Sequence, residues 1–459
     1  MPVVSPFLEF SDQIVRSRDG TSYVVVYAST TPTVAMLPVE LANELANRRD
    51  PTDLLSPGAL DALLERRILV TDSQQETARV RNEMGEAERD ASTREFVLLP
   101  TSYCNMSCTY CGQEHTKGRL SENHRQSMTA RVLEAIRQPT TRNVHIAWFG
   151  AEPLMAYTEV IDMARKFIAE AKAFDRGYSS KITTNGALLS PIKLTELVQV
   201  ARVTRFDITI DGPREVHNEH RPLKSGMGSF DSILETLKYA AESPAFRDVI
   251  FVLRTNVDRH NLRHLDEYLT EMSRRGFTDD RFVFQLSPIH SWGNDISELG
   301  ADRSDVSDLE VTWFRRMAEL GLNHRLLPGK IASTTCVATH VGSEVVDQYG
   351  RMYSCTEQPL VPRDIGATML TTAASLAATA RRPRGRFDDW ATSVEHRPYP
   401  CKSCSLFPVC GGGCPKRWEE GEVACPSMRA NFRQRLTLAA ERAGFAPVEP
   451  FVTRSAAVE

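Results

Sequence analysis

The placement of cysteine constrains this chain more than any other feature of its sequence. The 459 residues contain ten cysteines, which are Cys104, Cys108, Cys111, Cys336, Cys355, Cys401, Cys404, Cys410, Cys414 and Cys425. Disulfide frameworks belong mainly to short secreted chains that cannot build a core. Because the opening MPVVSPFLEFSDQ lacks a basic region followed by an apolar core, we expect no secretory signal. We therefore expect a reducing, cytoplasmic compartment, in which clustered cysteines hold metal rather than pair as disulfides.

Composition narrows the class of protein further. Hydrophobic residues make up 41% of the chain and charged residues 25%, which is ordinary for a globular protein of two or three domains. The net charge of −4 gives no reason to expect nucleic acid as a partner. No apolar run is long enough to predict a membrane span.

The region from 1 to 75 predicts a small domain of mixed structure. A β-hairpin is expected around the turn signal Asp19-Gly20. Two amphipathic helices should follow at 39–48 and 58–67, with Ser56 as the cap of the second. A short strand at 68–70 completes the pattern. Residues 76–94 are polar throughout and predict a helical or flexible linker.

From 95 to 332 the pattern changes to strands that alternate with helices. The six strand-like runs are EFVLLPT, NVHIAWFG, SSKITTN, RFDITID, DVIFVLRTN and RFVFQLS. Repeated βα units indicate a parallel sheet of the α/β class, here a partial (β/α)6 barrel, with functional residues at the carboxyl ends of its strands. From 333 to 459 strand and helix signals weaken and seven cysteines occur, so metal is expected to hold this region together.

The first cysteine group, spaced C-x3-C-x2-C, directly follows the first strand of the predicted barrel. Three thiolates can bind three irons of a 4Fe–4S cube and leave the fourth iron without a protein ligand. An iron left open in this way can bind a substrate or cofactor. A zinc loop is the alternative use of the same residues.

This motif resembles that of the radical S-adenosylmethionine superfamily. The resemblance implies that the open iron binds S-adenosylmethionine, whose reductive cleavage yields a 5′-deoxyadenosyl radical. Tyr110, just before the third cysteine, would pack beside the adenine. The segment WFGAEPL resembles the family's Gly-Gly-Glu-Pro motif, which lies along the methionine moiety and here comprises Gly150, Ala151, Glu152 and Pro153. Alanine replaces the usual second glycine, so we expect no positive φ at that position.

Polar residues at the tips of later strands resemble further contacts of the family with S-adenosylmethionine. The resemblance assigns to this group Thr184, Asn185, Thr209, Asp211 and Arg254. Turn chemistry at Asp211 and an ion pair at Arg254 are the structural alternatives. The spacing of His217 and Arg221, His-x3-Arg, resembles a further motif of the family. On a helix this spacing places both residues on one face, where a structural role is as plausible as a functional one.

The C-terminal cysteines closely resemble the SPASM extension of radical enzymes that mature peptides and proteins. The match comprises five spacings and the glycine Gly350. Ligation in the family, transferred by position, assigns Cys401, Cys404, Cys410 and Cys425 to an outer auxiliary 4Fe–4S cluster. It leaves Cys336, Cys355 and Cys414 for an inner cluster, so that the chain would hold three clusters. His340 is a possible fourth ligand of the inner cluster, and a zinc ribbon is the alternative for the outer group.

These resemblances predict a peptide maturase that forms a carbon–carbon or carbon–heteroatom crosslink in a ribosomally made precursor. Its partners would be the precursor peptide with its leader and a reducing donor such as flavodoxin or ferredoxin. Residues 1–75 resemble a winged-helix precursor-recognition element, which binds a leader as an added edge strand. Sulfatase maturation is the alternative reaction. In enzymes of that group an aspartate directly after the second SPASM cysteine acts as the general base. Here Thr356 follows that cysteine, and Glu357 is the candidate base.

Two further alternatives are open. A non-catalytic iron–sulfur carrier or zinc scaffold would use the same cysteines, but it would need no methionine-binding strand tips. The basic run Arg381, Arg382, Arg384 and Arg386 indicates either a solvated surface or a docking patch for an acidic leader.

Overall fold

The computed structural model describes residues 2–118, 120–301, 303–376 and 381–452. Within these residues the strands are β1 (Val3–Val4), β2 (Leu8–Arg16), β3 (Ser22–Ala28), β4 (Thr33–Pro38), β5 (Leu69–Val70), β6 (Thr93–Leu98), β7 (Asn143–Trp148), β8 (Gly177–Thr184), β9 (Val203–Thr209), β10 (Ile250–Val257), β11 (Phe282–Pro288), β12 (Asn323–His324), β13 (Ser343–Val346), β14 (Arg351–Tyr353), β15 (Thr371–Thr372) and β16 (Ala446–Pro450). The helices are α1 (Val39–Ala46), α2 (Pro57–Glu65), α3 (Ser73–Arg89), α4 (Glu122–Arg137), α5 (Tyr157–Ala173), α6 (Pro191–Gln199), α7 (Arg214–His220), α8 (Phe230–Glu242), α9 (Leu265–Arg274), α10 (Arg303–Glu319), α11 (Trp390–Ser393), α12 (Phe407–Cys410), α13 (Pro415–Glu419) and α14 (Met428–Arg442).

The six predicted βα strands are confirmed as β6 to β11. They pair in parallel and in chain order, and β12 continues the series beyond β11. Their helix-facing side chains, such as Phe96, Ile146 and Phe206, are fully buried against the flanking helices. This burial and the parallel order place the carboxyl ends of the six strands along one edge of the sheet. Closure of the sheet into a partial barrel stays a prediction.

The sheet extends beyond the boundary predicted at 332/333. Strand β13 pairs in parallel with β6, and β14 and β15 follow as antiparallel neighbours. Gly350 lies in the turn between β13 and β14 with a φ of +71°, a conformation that glycine adopts without strain. The start of the cysteine-rich region is therefore part of the central sheet, which the local sequence pattern could not indicate.

The N-terminal hairpin is confirmed, since β2 and β3 pair in antiparallel fashion on either side of Asp19-Gly20. Ser56 caps α2 by accepting a 3.3 Å hydrogen bond from the amide of Ala59. Two partners of this sheet were not predicted. Strand β4 pairs with β3, and β16, from the far end of the chain, pairs with β2. The sheet order is therefore β16-β2-β3-β4, and the predicted limits 1–75 and 333–459 do not separate it from the C-terminal region.

The predicted linker forms α3 over most of its length. Asp72 caps this helix, because its carboxylate accepts hydrogen bonds from the amides of Gln74 and Gln75. The helix buries Val80 and Met84 in a hydrophobic cluster with residues of the cysteine-rich region. The segment therefore packs as a structural element. None of the helices in the described part of the chain could span a membrane.

Candidate functional site

The first cysteine group forms a loop at the carboxyl end of β6, and the end of α7 holds it in place. The amide of Ser107 donates to the carbonyl of Pro222 at 3.0 Å, and the amide of Thr109 donates to the carbonyl of His220 at 3.1 Å. The thiols of Cys104, Cys108 and Cys111 interact electrostatically with one another, and burial raises the pKa of each. The fold therefore gathers these three thiols in one place.

The hydroxyl of Tyr110 joins the cysteine loop to the strand tips. It donates a 2.6 Å hydrogen bond to Asp211 Oδ2 and accepts bonds from Asn256 Nδ2, at 2.8 Å, and from the guanidinium of Arg221. Arg221 also forms an ion pair of 3.5 Å with Asp211. Sequence reasoning missed Asn256, although it ends the run RTN on β10 much as Asn185 ends the run TTN directly after β8.

Glu152 is fully buried, and it connects the second and third strand tips. Its carboxylate accepts hydrogen bonds from Thr184 Oγ1 at 2.7 Å, the amide of Asn185 at 2.7 Å and the amide of Leu154 at 2.9 Å. Burial raises the pKa of this carboxyl, and the bonded donors oppose that effect. The arrangement leaves acceptor capacity on Oε2, which receives one of the three bonds.

The backbone before Glu152 explains the sequence at this turn. Gly150 has a φ of +115°, and a Cβ atom there would lie 3.0 Å from the carbonyl oxygen of Thr101. Ala151 is not among the residues with positive φ, as expected. The alanine is therefore tolerated because the position with the unusual backbone is the glycine before it.

The remaining predicted contact residues lie at the same edge. Asn185 Nδ2 donates to Asn105 Oδ1 at 2.7 Å and lies 3.7 Å from Cys104 Sγ. Thr209 and Arg254 are register partners on β9 and β10, and Arg254 Nε donates to Asn256 Oδ1 at 3.0 Å.

His217 has a structural role. Its ring is fully buried, where Nδ1 accepts a 3.3 Å hydrogen bond from the amide of Asp211 and Nε2 lies 3.0 Å from Ser229 Oγ. Burial lowers the pKa of His217 to about 3, so the ring is neutral at physiological pH. It holds the backbone of Asp211, while Arg221 reaches the site itself.

A second group of thiols comprises Cys336, Cys355 and Cys414, which interact electrostatically with one another. Glu357 lies beside them, since its amide donates to Cys355 Sγ at 3.5 Å. Burial raises the pKa of the Glu357 carboxyl, while the positive charges of Arg254 and Lys416 oppose this effect. Its charge also acts on Cys111 of the first group and on Cys414 of the second, so Glu357 lies within electrostatic range of both thiol groups.

The third group lines a single cavity. Its four thiols belong to Cys401, Cys404, Cys410 and Cys425, and Arg429 lies at the same wall. Gly412, with a φ of +95°, completes the lining between two of the cysteines.

The donor set fits iron–sulfur clusters better than zinc or disulfides. All ten cysteines lie in the described part of the chain, and each is a free thiol. Four sulfurs around one zinc lie only about 3.8 Å apart, given Zn–S bonds of about 2.3 Å. Within the described residues, no three His, Cys, Asp or Glu side chains approach closely enough to hold a single ion. A cubic cluster does not require three side chains within reach of one ion, because its ligands bind separate irons.

His340 does not fit the fourth position of the second thiol group. Its Nε2 lies 2.6 Å from the carbonyl of Asp90, and its Nδ1 lies 2.9 Å from Ser343 Oγ. Both ring nitrogens are thus engaged, so the hypothesis of a histidine ligand is wrong for this geometry. The cause is local, because the chain after Cys336 forms a single 3-10 turn that directs the ring toward the end of α3.

The basic run is not a uniformly solvated surface. Arg382 is buried, with its guanidinium 2.6 Å from Asp388 Oδ1 and 2.7 Å from the carbonyl of Ser343. Arg384 pairs with Asp389, and Arg386 pairs with Glu419. The run is therefore largely neutralised within the chain, which weakens the docking hypothesis.

Comparison with known proteins agrees with this geometry. Residues 98–269 match the radical SAM superfamily, so the chain contains a radical SAM domain. This superfamily uses a 4Fe–4S cluster and S-adenosylmethionine.

Two curated relatives match much of the chain. The serine-type anaerobic sulfatase-maturating enzyme of Bacteroides thetaiotaomicron is 24% identical over 68% of this chain and 80% of its own length. The cysteine-type enzyme of Clostridium novyi is 22% identical over 73% of this chain and 93% of its own. Among solved structures, anSMEcpe with bound AdoMet and Kp18Cys peptide has a TM-score of 0.56 at 18% identity, and the match covers 76% of this chain and 99% of that one.

Proposed function

We propose that this radical SAM enzyme matures a peptide and holds three 4Fe–4S clusters, one in each group of thiols. The observation that carries the proposal is the position of Glu357, whose amide contacts Cys355 of the second group and whose charge acts on Cys111 of the first. A carboxylate within range of two metal sites is suited to taking a proton from a substrate that binds there. The relatives support a peptide substrate, because their names are those of sulfatase-maturating enzymes.

Named residues would hold the cofactor. Cys104, Cys108 and Cys111 would ligate the first cluster, and the free capacity of Glu152 Oε2 would accept a hydrogen bond from the ammonium of S-adenosylmethionine. Tyr110 would lie beside the adenine, fixed by the three hydrogen bonds of its hydroxyl. When bound, the first cluster and S-adenosylmethionine would together provide the chemistry that abstracts a hydrogen atom from the substrate.

Further polar side chains line the same edge of the sheet. Thr184, Asn185, Thr209, Asp211 and Arg254 are the remaining candidate contacts. Thr184 and Asn185 hold Glu152 in position, whereas Asp211 and Arg254 both contact Asn256.

We favour formation of a crosslink in a precursor peptide. Thr356 stands where the resemblance to sulfatase-maturing enzymes expects a basic aspartate, and the candidate base Glu357 is one residue later. In addition, about a quarter of this chain has no counterpart in the anSMEcpe structure, which is itself matched almost completely. A chain that only repeated the reaction of that enzyme would have no evident use for an additional region of this size.

Sulfatase maturation is the second candidate, favoured by the two curated relatives. The experiment gives the anaerobic, reconstituted protein S-adenosylmethionine, a reductant and either its precursor peptide or a sulfatase-type peptide. A crosslink and an oxidised serine both remove two hydrogen atoms, so mass alone does not separate them. A hydrazide reagent does, because it labels the aldehyde of formylglycine and not a crosslink. Labelling of the sulfatase-type peptide, with the precursor unchanged, would overturn the crosslinking proposal.

The N-terminal sheet is the proposed site for the leader, as a winged-helix-like recognition domain. Its edges are β16 and β4. Pro447 and Pro450 deprive β16 of two amide donors, which blunts that edge against strand addition. Strand β4 is therefore the edge we assign to the leader.

A substitution in β4 tests this assignment. Val34 is exposed and lies four residues before Pro38 on the same strand, so the two backbone nitrogens point in the same direction. Because Pro38 has no amide hydrogen to donate to β3, the amide of Val34 is expected to point away from β3. Val34→Pro should weaken precursor binding at least tenfold, whereas Val34→Thr, which keeps the amide, should not. Cleavage of S-adenosylmethionine without precursor should be unchanged in both. Equal precursor affinity in the two variants would exclude the β4 edge. Deletion of residues 1–75 is a poor test, because α14 packs on β2 and β3.

An external reductant such as flavodoxin or ferredoxin is proposed as the electron donor. Radical SAM cleavage consumes one electron that the chain cannot generate itself. Reconstituted protein with a reduced flavodoxin, in place of a chemical reductant, should release 5′-deoxyadenosine.

A further inference from the structure

One guanidinium contacts the third group of thiols directly. Arg429 Nη1 donates to Cys425 Sγ at 3.1 Å, from the first turn of α14. The positive charge of Arg429 also acts on Cys401 and Cys404, and the thiol of Cys425 in turn raises the pKa of the guanidinium. This charge therefore acts on three of the four thiols that line the cavity.

A carboxylate with the opposite effect comes from the N-terminal sheet. Glu9, on β2, accepts a hydrogen bond from Ser405 Oγ, on the residue next to Cys404. Burial raises the pKa of Glu9, and its negative charge acts on Cys404. Ser29, directly after β3, donates a hydrogen bond to the carbonyl of Ser405, so the sheet holds the same loop at two positions.

We propose that Arg429 and Glu9 set the reduction potential of the outer auxiliary cluster in opposite directions. The inference rests on the proposed function, in which Cys401, Cys404, Cys410 and Cys425 ligate that cluster. Reduction adds one negative charge to a cluster, so a positive charge or a hydrogen bond to a ligand sulfur stabilises the reduced form. Arg429 therefore raises the potential, and Glu9 lowers it.

This arrangement gives the N-terminal sheet a second role. The sheet to which we assign the leader carries a charge that acts on the outer cluster, through a hydrogen-bonded loop rather than through the radical site. Two elements that lie far apart in sequence, β2 and α14, would therefore set the affinity of the outer cluster for an electron.

The experiment is a redox titration of the full, reconstituted chain, followed by electron paramagnetic resonance of the outer cluster. The variants are Arg429→Gln and Glu9→Gln, with Arg442→Gln as the control because it removes the same charge from the far end of α14. Arg429→Gln should lower the ratio of reduced to oxidised cluster about tenfold at a fixed potential, equivalent to about 59 mV for one electron. Glu9→Gln should raise that ratio, and Arg442→Gln should leave it unchanged.

The iron content of each variant separates the two levels of the proposal. Unchanged iron with an unchanged potential in both Arg429→Gln and Glu9→Gln would overturn the inference while leaving the three-cluster assignment intact. If replacement of all four outer cysteines by alanine removes no iron, the outer cluster itself is absent and the proposed function fails at that point. Shifts of the same sign in the two variants would also overturn the inference, because opposite charges cannot produce them.

Discussion

Tyr110 and Asp211, which are 101 residues apart in the chain, are joined by a hydrogen bond of 2.6 Å between the phenol and the carboxylate. The bond connects the cysteine loop after β6 with the tip of β9. The same hydroxyl accepts from Asn256 and Arg221, so its one donor and two acceptor positions are all used. The orientation of Tyr110 is therefore fixed before any ligand binds.

Replacement of Tyr110 by phenylalanine should impair cofactor cleavage without loss of the cluster. The substitution removes one hydrogen bond each from Asp211, Asn256 and Arg221, at a net cost of about 0.5–1.5 kcal/mol for each bond. We expect the release of 5′-deoxyadenosine to fall roughly ten- to a hundredfold, given that about 1.4 kcal/mol is tenfold in rate. Iron content should equal that of the wild type. Tyr239→Phe, at an exposed tyrosine of α8, is the control and should have no effect.

Simultaneous replacement of Cys104, Cys108 and Cys111 by alanine should abolish reductive cleavage of S-adenosylmethionine. About eight irons per chain should remain, because the proposed function assigns two further clusters of four irons to the other cysteines. The measurements are an iron assay and chromatography of 5′-deoxyadenosine. Cleavage at the wild-type rate would contradict the assignment of the first thiol group.

Local patterns explain which parts of this molecule could be predicted. Short stretches of sequence predict both the six strands of the central sheet and the grouping of cysteines, such as Cys104 to Cys111 directly after β6. The pairing of β13 with β6 and of β16 with β2 joins segments far apart in the chain, and no local pattern encodes such partners. The same limit applies to side chains, since the burial of Arg382 depends on Asp388 and on the carbonyl of Ser343.

Glu357→Gln should separate the two halves of the proposed reaction. Cleavage of S-adenosylmethionine should continue, because Glu357 is not part of the first thiol group, while conversion of the precursor should fall at least a hundredfold if a general base contributes roughly 10²–10⁴ in rate. Burial raises the pKa of Glu357, and a base must be deprotonated. Conversion by the wild type should therefore decline as pH falls through a value above the ordinary range of glutamate. A variant that converts the precursor normally would exclude Glu357 as the base.

Arg382→Ala should destabilise the fold, whereas Arg384→Ala should not. Removing one partner of a buried pair leaves Asp388 uncompensated, at a cost of about 3–5 kcal/mol, while an exposed pair contributes about 0–1 kcal/mol. The side chains of Arg382 and Arg384 are 1% and 74% exposed, which places them in these two classes. Denaturant unfolding measures both. Precursor affinity that is unchanged when Arg381, Arg384 and Arg386 all become alanine would end the docking hypothesis.

His340→Ala should leave all three clusters spectroscopically unchanged and lower only the stability of the fold. The histidine bridges the carbonyl of Asp90 and the hydroxyl of the buried Ser343. Its removal deprives the Ser343 hydroxyl of this partner, at a cost of about 1–3 kcal/mol. In pulsed electron paramagnetic resonance, histidine labelled with nitrogen-15 should produce no coupling to the inner cluster.

The inner cluster would then have three cysteine ligands, because ten cysteines less three for the first cluster and four for the outer cluster leave three. Its fourth iron would be open to a donor atom of the peptide, so addition of the precursor should change the signal of this cluster. Glu88 is the alternative ligand that must be tested. Its Oε1 has no hydrogen-bond partner among the described residues, and its charge acts on Cys336. If carboxylate-labelled protein shows a coupling to the inner cluster that Glu88→Gln removes, a carboxylate of the chain occupies the position and the open-iron hypothesis is wrong.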